Sequence, residues 1–170
     1  MYEIEQRQLT EQPTLVVRDK VAAEDVGPWL EAAFSEVARY MNARVIQMAG
    51  PPFVRYLLMQ GVFEIEAGFP TMMLAPVEGR LELSQLPGGS VAMTMHTGPD
   101  EALPAAFQAL TEWIAKHGCE QAGPHWEVYF TDPKEEPDQS KWQTQVFMPF
   151  LGSESGRGWP LFAPIRAFLC

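Results

Sequence analysis

A chain of 170 residues with 46% hydrophobic side chains is long enough to bury one sizeable core. Its 22 acids against 12 bases give a formal charge of −10, which repels phosphate backbones and argues against direct nucleic-acid binding. The polar start "MYEIEQRQLTEQ" is no signal peptide and no apolar run nears the ~20 residues of a membrane span, so cytoplasm is the expected location.

Two strand-like runs come first, "EIEQRQL" and "TLVVRDKV". A helix is predicted in "GPWLEAAFSEVARYMNA", where Phe34, Val37, Ala38 and Met41 recur at i, i+3, i+4 and i+7. Two more strands follow, "GPPFVRYLLM" and "VFEIEAGFP". The pattern then starts again. "GRLELSQL" and "GSVAMTMHT" read as strands, and "LPGGS" between them predicts a hairpin turn. "DEALPAAFQALTEWIAKHG" reads as a helix with Phe107, Leu110, Thr111 and Ile114 on one stripe. Pro28 and Pro104 suit helix starts, Asp25 and Asp100 suit acids near the caps, and Gly118 suits a stop. The stripe residues read as core, not as a cofactor box. "GPHWEVYFTDP" and "WQTQVFMPF" close the series as strands.

The two series align at one constant offset through the helix and the strand after it. Phe34 maps to Phe107, Tyr40 to Trp113, Gly50-Pro51 to Gly123-Pro124 and Tyr56 to Tyr129. The last strands match only after an insertion, because Pro70 corresponds to Pro149 past the polar run "KEEPDQSK". The expected fold class is therefore α+β. A pseudo-twofold duplication of a β-β-α-β-β unit gives an antiparallel sheet with two packed helices and a central ligand cleft. The halves span about 1–72 and 78–150, and 151–170 is a C-terminal extension of unassigned role.

On the strand "WEVY", Glu127 and Tyr129 share one face and Trp126 and Val128 the other. Trp126 reads as core beneath the helix. The Glu127 face fits a pocket floor or a solvated surface equally well. Among buried rings its carboxyl would have a raised pKa. Glu127 occupies the position of Val54 in the first series, so the acid breaks a repeat that the tyrosines keep. Trp142 either caps a cleft or anchors its loop. His96, His117 and His125 lack metal-ligand spacing, so no metal is expected, and His125, at the start of the Glu127 strand, is expected near the cleft without a catalytic role. Cys119 and Cys170 form no metal or redox pair, and thiols are expected at both. There is no nucleophile elbow, phosphate-binding glycine loop or nucleotide fingerprint, and no cofactor is expected.

The ordered set "MHTGPDEALPAAFQALTEWIAKHG", "AGPHWEVYFTDP" and "WQTQVFMPF", preceded by "GPPFVRYLL" and "FEIEAGFP", resembles the GyrI-like small-molecule-binding domain. This is the AraC-type effector-binding domain of BmrR-like multidrug regulators. The resemblance spans about residues 1–150. It implies a cleft for hydrophobic, flat, often cationic compounds, with an acid at Glu127 facing the ligand beside Tyr129 and its mate Tyr56. Gln145 stands where the family often has a second Glu, which puts a two-carboxylate mechanism in doubt. Glu66 keeps its acid in the first series. Phe147 and Trp142 complete the expected lining, with Met59, Met93 and Met95 as adaptable surface.

The implied function is a stand-alone protein that senses or sequesters such compounds in transcription regulation or drug defence. Binding without catalysis is the favoured reading, with the enzyme question open. The alternative is a hydrolase of cyclopropane-bearing electrophiles, with Glu127 as acid/base. A further alternative is a gyrase-interacting inhibitor. The expected partners are a hydrophobic or cationic small molecule, with a homodimer or protein partner compatible, and neither nucleic acid nor membrane.

Overall fold

The structure, a computed structural model, describes residues 1–152. From residue 153 on, the expected extension lies outside the described residues. The strands are β1 (Glu5–Leu9), β2 (Gln12–Ala22), β3 (Phe53–Gln60), β4 (Val62–Pro70), β5 (Leu81–Leu86), β6 (Gly89–Thr97), β7 (Cys119–Gln121), β8 (Trp126–Tyr129) and β9 (Gln143–Gly152). The helices are α1 (Val26–Arg44) and α2 (Leu103–Lys116). All pairings are antiparallel, and the sheet runs β1-β6-β9-β8-β3-β4-β2-β5, with β7 added on β9.

The segment "LPGGS" does not make the expected hairpin. β5 pairs with β2, and β6 pairs with β1 and β9. The chain does not reverse there: the pairings of β5 with β2 and of β6 with β1 follow one antiparallel register that continues across Pro87-Gly88, so β5 and β6 lie end to end.

Both helices lie on one side of the sheet. Ala33, Val37 and Met41 of α1 pack on Leu15, Val17, Ile65 and Ala67. Leu103, Ala106, Leu110 and Ile114 of α2 pack on Ala92, Val146, Met148 and Phe150. Each large aliphatic side chain so buried contributes about 1.5–3 kcal/mol. β2 and β4 approach so closely that a Cβ on Gly68 would lie 2.0 Å from the Leu15 carbonyl oxygen, so only glycine fits there. The two cores are joined by β3 and β8 at the centre, where Phe53, Val54 and Arg55 pair with Val128, Glu127 and Trp126.

Trp126 is 1% exposed, but it is not beneath a helix. It lies on the far face of the sheet, where its ring stacks on Phe147 at 5.2 Å. The helices sit instead on the Glu127 side, because the apolar stripes of β2, β4 and β9 face that way. The thiol expectation also fails for Cys119, since no cysteine among the described residues is free.

α2 stops as expected at Gly118, with φ of 69°. α1 stops at Val45, which takes a left-handed conformation with φ of 56° while 91% exposed. A β-branched residue is strained there, and its exposed side chain offers nothing in return. Val45→Gly should therefore stabilise the fold by about 1 kcal/mol. Thermal unfolding checks this, and a lower melting temperature would contradict it.

Candidate functional site

The centre of the sheet is the region that neither helix covers completely. Above β3 and β8, the space between α1 and α2 holds two adjoining hollows of about 560 and 710 Å3. Gly27, Leu30, Asp100 and Tyr129 line both.

Glu127 forms the floor of the smaller hollow. Its strand neighbours are Val54 on β3 and Val146 on β9, both fully buried. Neither side chain can hydrogen-bond, and Glu127 is only 3% exposed. The Tyr129 hydroxyl donates to Glu127 Oε2 at 2.5 Å. Among the described residues no cationic side chain makes an ion pair with it. Burial therefore pushes the Glu127 carboxyl up to about 7. The Tyr129 hydrogen bond pulls it down, and the Asp100 charge raises it further. Burial and the neighbouring carboxylate hold Tyr129 and Tyr56 well above the usual phenol range, so both stay neutral donors.

The walls are aromatic. Phe34 meets Tyr129 edge to face at 6.0 Å. Tyr56 stacks on His125 at 5.1 Å, and Phe107 lies 4.3 Å from His125. Phe34 and Phe107 therefore serve both packing and cleft, although their spacing reads only as core. Burial pushes the His125 imidazole down to about 4, so the ring is neutral at ordinary pH.

A bulge in β3 shapes the remaining wall. The register with β4 slips between Tyr56 and Leu58. The extra residue keeps Tyr56 on the helix side and returns Met59 to that side, opposite Phe63. Simple alternation would turn Met59 away.

Glu127, Tyr129 and Tyr56 are thus brought together. Trp142 and Thr144 line the larger hollow. Trp142 also anchors its loop, because Nε1 donates to the Glu136 carbonyl at 2.8 Å. Gln145, Phe147 and Glu66 are not in this group. β8 and β9 pair Glu127 with Val146, which turns Gln145 and Phe147 to the far face with Val128 and Trp126. Met93 lies on that face beside Gln145, whose Nε2 is 3.9 Å from its sulfur, and Met95 is 40% exposed there. Glu66 alternates with Ile65 and Ala67, so it too faces away from the helices. It is fully buried, with Arg18 at 2.8 Å and Arg55 at 3.6 Å, and Ser84 Oγ donates to both its oxygens at 3.1 Å. Its charge is thereby satisfied within the fold.

Sequence reasoning misses Asp100 as a cleft residue, whereas His125 lies in the cleft near which the sequence places it. Asp100 lies in the turn before α2, at the rim of both hollows. The repeat carries a signal for it: in the alignment of the two series it stands opposite Gly27, which lines the same two hollows. His125 follows Pro124 immediately before β8, and its place at the start of the Glu127 strand is the signal that puts it near the cleft.

A family model for the GyrI-like small molecule binding domain matches residues 3–151. Among curated proteins, none matches the sequence significantly. Solved structures show the same fold. The EcmrR C-terminal domain is 16% identical with a TM-score of 0.79, covering 89% of this chain and 99% of that one. Against EcmrR in its DNA complex the TM-score is 0.80 at 17% identity, and the match covers 89% of this chain but only 58% of that longer one. SAV2435 bound to tetraphenylphosphonium gives 0.64 at 13% identity, covering 89% and 96% of the two chains. A hydrolase from Listeria innocua gives 0.61 at 14% identity, covering 88% and 92%.

Proposed function

The chain belongs to the GyrI-like small molecule binding domain family, and from that premise we propose that it binds a hydrophobic aromatic compound, preferably a cation, between α1 and α2. One observation carries the reading. Glu127 is a nearly inaccessible carboxyl with aromatic walls, one hydroxyl partner and no cation. Leaving it there costs the free protein stability. A flat organic cation offsets that cost by supplying the missing positive charge. The rings add apolar burial at about 25 cal/mol per Å2 and cation–π attraction of roughly 0.5–2 kcal/mol. None of these terms requires one fixed geometry, so a range of ligands fits.

The same reading retains the duplication, a single domain ending near residue 150, and a sensing or sequestering role. The strand order supports the duplication. It is unchanged when β1 is exchanged with β5, β2 with β6, β3 with β8 and β4 with β9. The cleft would then lie on the pseudo-twofold axis. Among the described residues no helix is long and apolar enough to cross a membrane. SAV2435 with its bound phosphonium supports a cation as ligand. The test is a titration of tetraphenylphosphonium at pH 8. We expect saturable binding, weakened tenfold or more by Glu127→Gln. Equal affinity for both proteins would remove Glu127 as the counter-charge.

A second reading, hydrolysis of a strained electrophile, is favoured by the Glu127 pKa of about 7, which suits proton transfer at neutral pH. Incubation with a cyclopropane-bearing alkylator, followed by mass, decides it. Turnover lost in Glu127→Gln supports hydrolysis, and stoichiometric binding without product rejects it.

A further inference from the structure

The cleft contains a second acid that the binding reading above does not use. Asp100 is exposed at the rim shared by the two hollows. Its field reaches the floor, where it raises the pKa of Glu127, Tyr129 and Tyr56. Asp100 itself is pushed above the usual aspartate range by partial burial and by Glu101, against a downward pull from His96.

No cation is at hand to neutralise it. Among the described residues lining the two hollows, Lys134 is the sole lysine or arginine, and it pairs with Glu31 at 3.0 Å. His96 is engaged elsewhere: Nε2 lies 3.1 Å from the Pro99 carbonyl and Nδ1 lies 2.8 Å from the Tyr2 hydroxyl. At the inner end His125 is neutral and cancels nothing. His125, which lines the smaller hollow, also has its Nε2 buried without a hydrogen-bond partner.

Both acids also break the repeat. In the alignment of the two series Glu127 corresponds to Val54 and Asp100 to Gly27. The apolar walls recur in both series, whereas the negative charges do not. The cleft therefore has a desolvated anionic floor and a wetter anionic rim within aromatic walls.

Resting on the binding reading, we propose that the preferred ligand is an aromatic dication. One charged end sits on Glu127 beside His125, and the other reaches Asp100 at the mouth. Asp100 is the specificity-determining residue that distinguishes dications from monocations. Its contribution is a second Coulomb contact at moderate exposure, so it weakens as salt rises.

Ethidium and propidium form a matched pair. They share one phenanthridinium ring system, and propidium adds a quaternary ammonium on a propyl arm. Both dyes should be titrated by fluorescence at pH 8 and low salt. We expect the wild type to bind propidium about tenfold tighter than ethidium. Asp100→Asn should abolish that preference by weakening propidium about tenfold more than ethidium. Glu127→Gln should weaken both dyes. Asp100→Glu should restore most of the propidium preference. Equal affinity of the wild type for the two dyes overturns the proposal, as does an Asp100→Asn variant that loses both dyes equally. In those cases Glu127-dependent ethidium binding leaves the simpler reading standing. If neither dye binds the wild type, both readings fall.

Discussion

Glu127→Gln is expected to stabilise the free protein at pH 8 relative to its effect at pH 4.5, by a difference of about 3 kcal/mol. The cause is proton linkage. In the unfolded chain the Glu127 carboxyl titrates near its ordinary value of 4.5, and in the fold burial raises it to about 7. Below 4.5 both states carry the neutral acid, so burial costs no charge. Between 4.5 and 7 the unfolded chain loses its proton first, and stability falls as the pH rises. Above 7 the loss is complete. A shift of that size corresponds to about 3 kcal/mol, at 1.36 kcal/mol per unit. Gln keeps the volume and accepts from Tyr129, but its amide N–H groups lack a partner, which costs about 1 kcal/mol at every pH. The substitution should thus lose about 1 kcal/mol at pH 4.5 and gain about 2 kcal/mol at pH 8. For a chain of this size each kcal/mol moves the melting temperature by roughly 2–4 °C. Thermal unfolding of both proteins across this range reads the crossing directly. A pH-independent difference would mean that Glu127 keeps an ordinary pKa in the fold, and the buried-acid account would fail.

Such a trade, in which a site residue lowers the stability of the free protein, is what a binding role predicts and a structural role does not. Glu66 provides the contrast within one molecule. It is as buried as Glu127, but two arginines and Ser84 surround it. Removing that acid would leave Arg55 and Arg18 without their partner, so loss of stability is the expected direction there. Two carboxylates that look alike in sequence are therefore opposite in energetic character. Only their cross-strand neighbours separate them.

That distinction marks how far the sequence can be read. Period-3.6 stripes reveal α1 and α2 because one face of each is buried. Alternation places Glu127 and Tyr129 on one face because β8 is regular. The internal repeat singles out Glu127, since Val54 stands at its counterpart. The rest depends on register, which local pattern does not encode. Alternation along β9 places Gln145 and Phe147 together correctly, but only the pairing with β8 shows that their face is the far one. The bulge near Leu57 decides where Met59 points, and nothing in "FVRYLLMQ" announces it. β5 and β6 do not form the hairpin expected at "LPGGS" because β2 and β1 run alongside them in one continuous register, a long-range pairing that a local Pro-Gly motif does not encode. Asp100 reads locally as a helix-start acid, and its place at the rim follows from how α2 lies over the sheet.

The affinity for a cation should fall by up to about a hundredfold between pH 8 and pH 5. Only the ionised carboxylate offers a counter-charge, and with a pKa of about 7 it is mostly ionised at pH 8 and about one part in a hundred at pH 5. Below 7 the apparent dissociation constant of ethidium should therefore rise about tenfold per pH unit. It should level off where burial of the rings alone sustains binding. The other groups facing the hollow are separable from this profile. Tyr56 and Tyr129 stay protonated throughout and His125 stays neutral down to about 4, while partial burial pushes Asp100 up from its ordinary value, so Asp100→Asn separates its share from that of Glu127. Two substitutions give the profile a sign. Tyr129→Phe removes the hydrogen bond that favours the carboxylate, so the midpoint should move above 7. Asp100→Asn removes a charge that disfavours it, so the midpoint should move below the wild-type value. Proton release on binding, measured by calorimetry at pH 6 in two buffers of different ionisation enthalpy, supplies an independent reading. A flat profile, or two substitutions that shift the midpoint the same way, would show that the charge meeting the ligand is not held on Glu127.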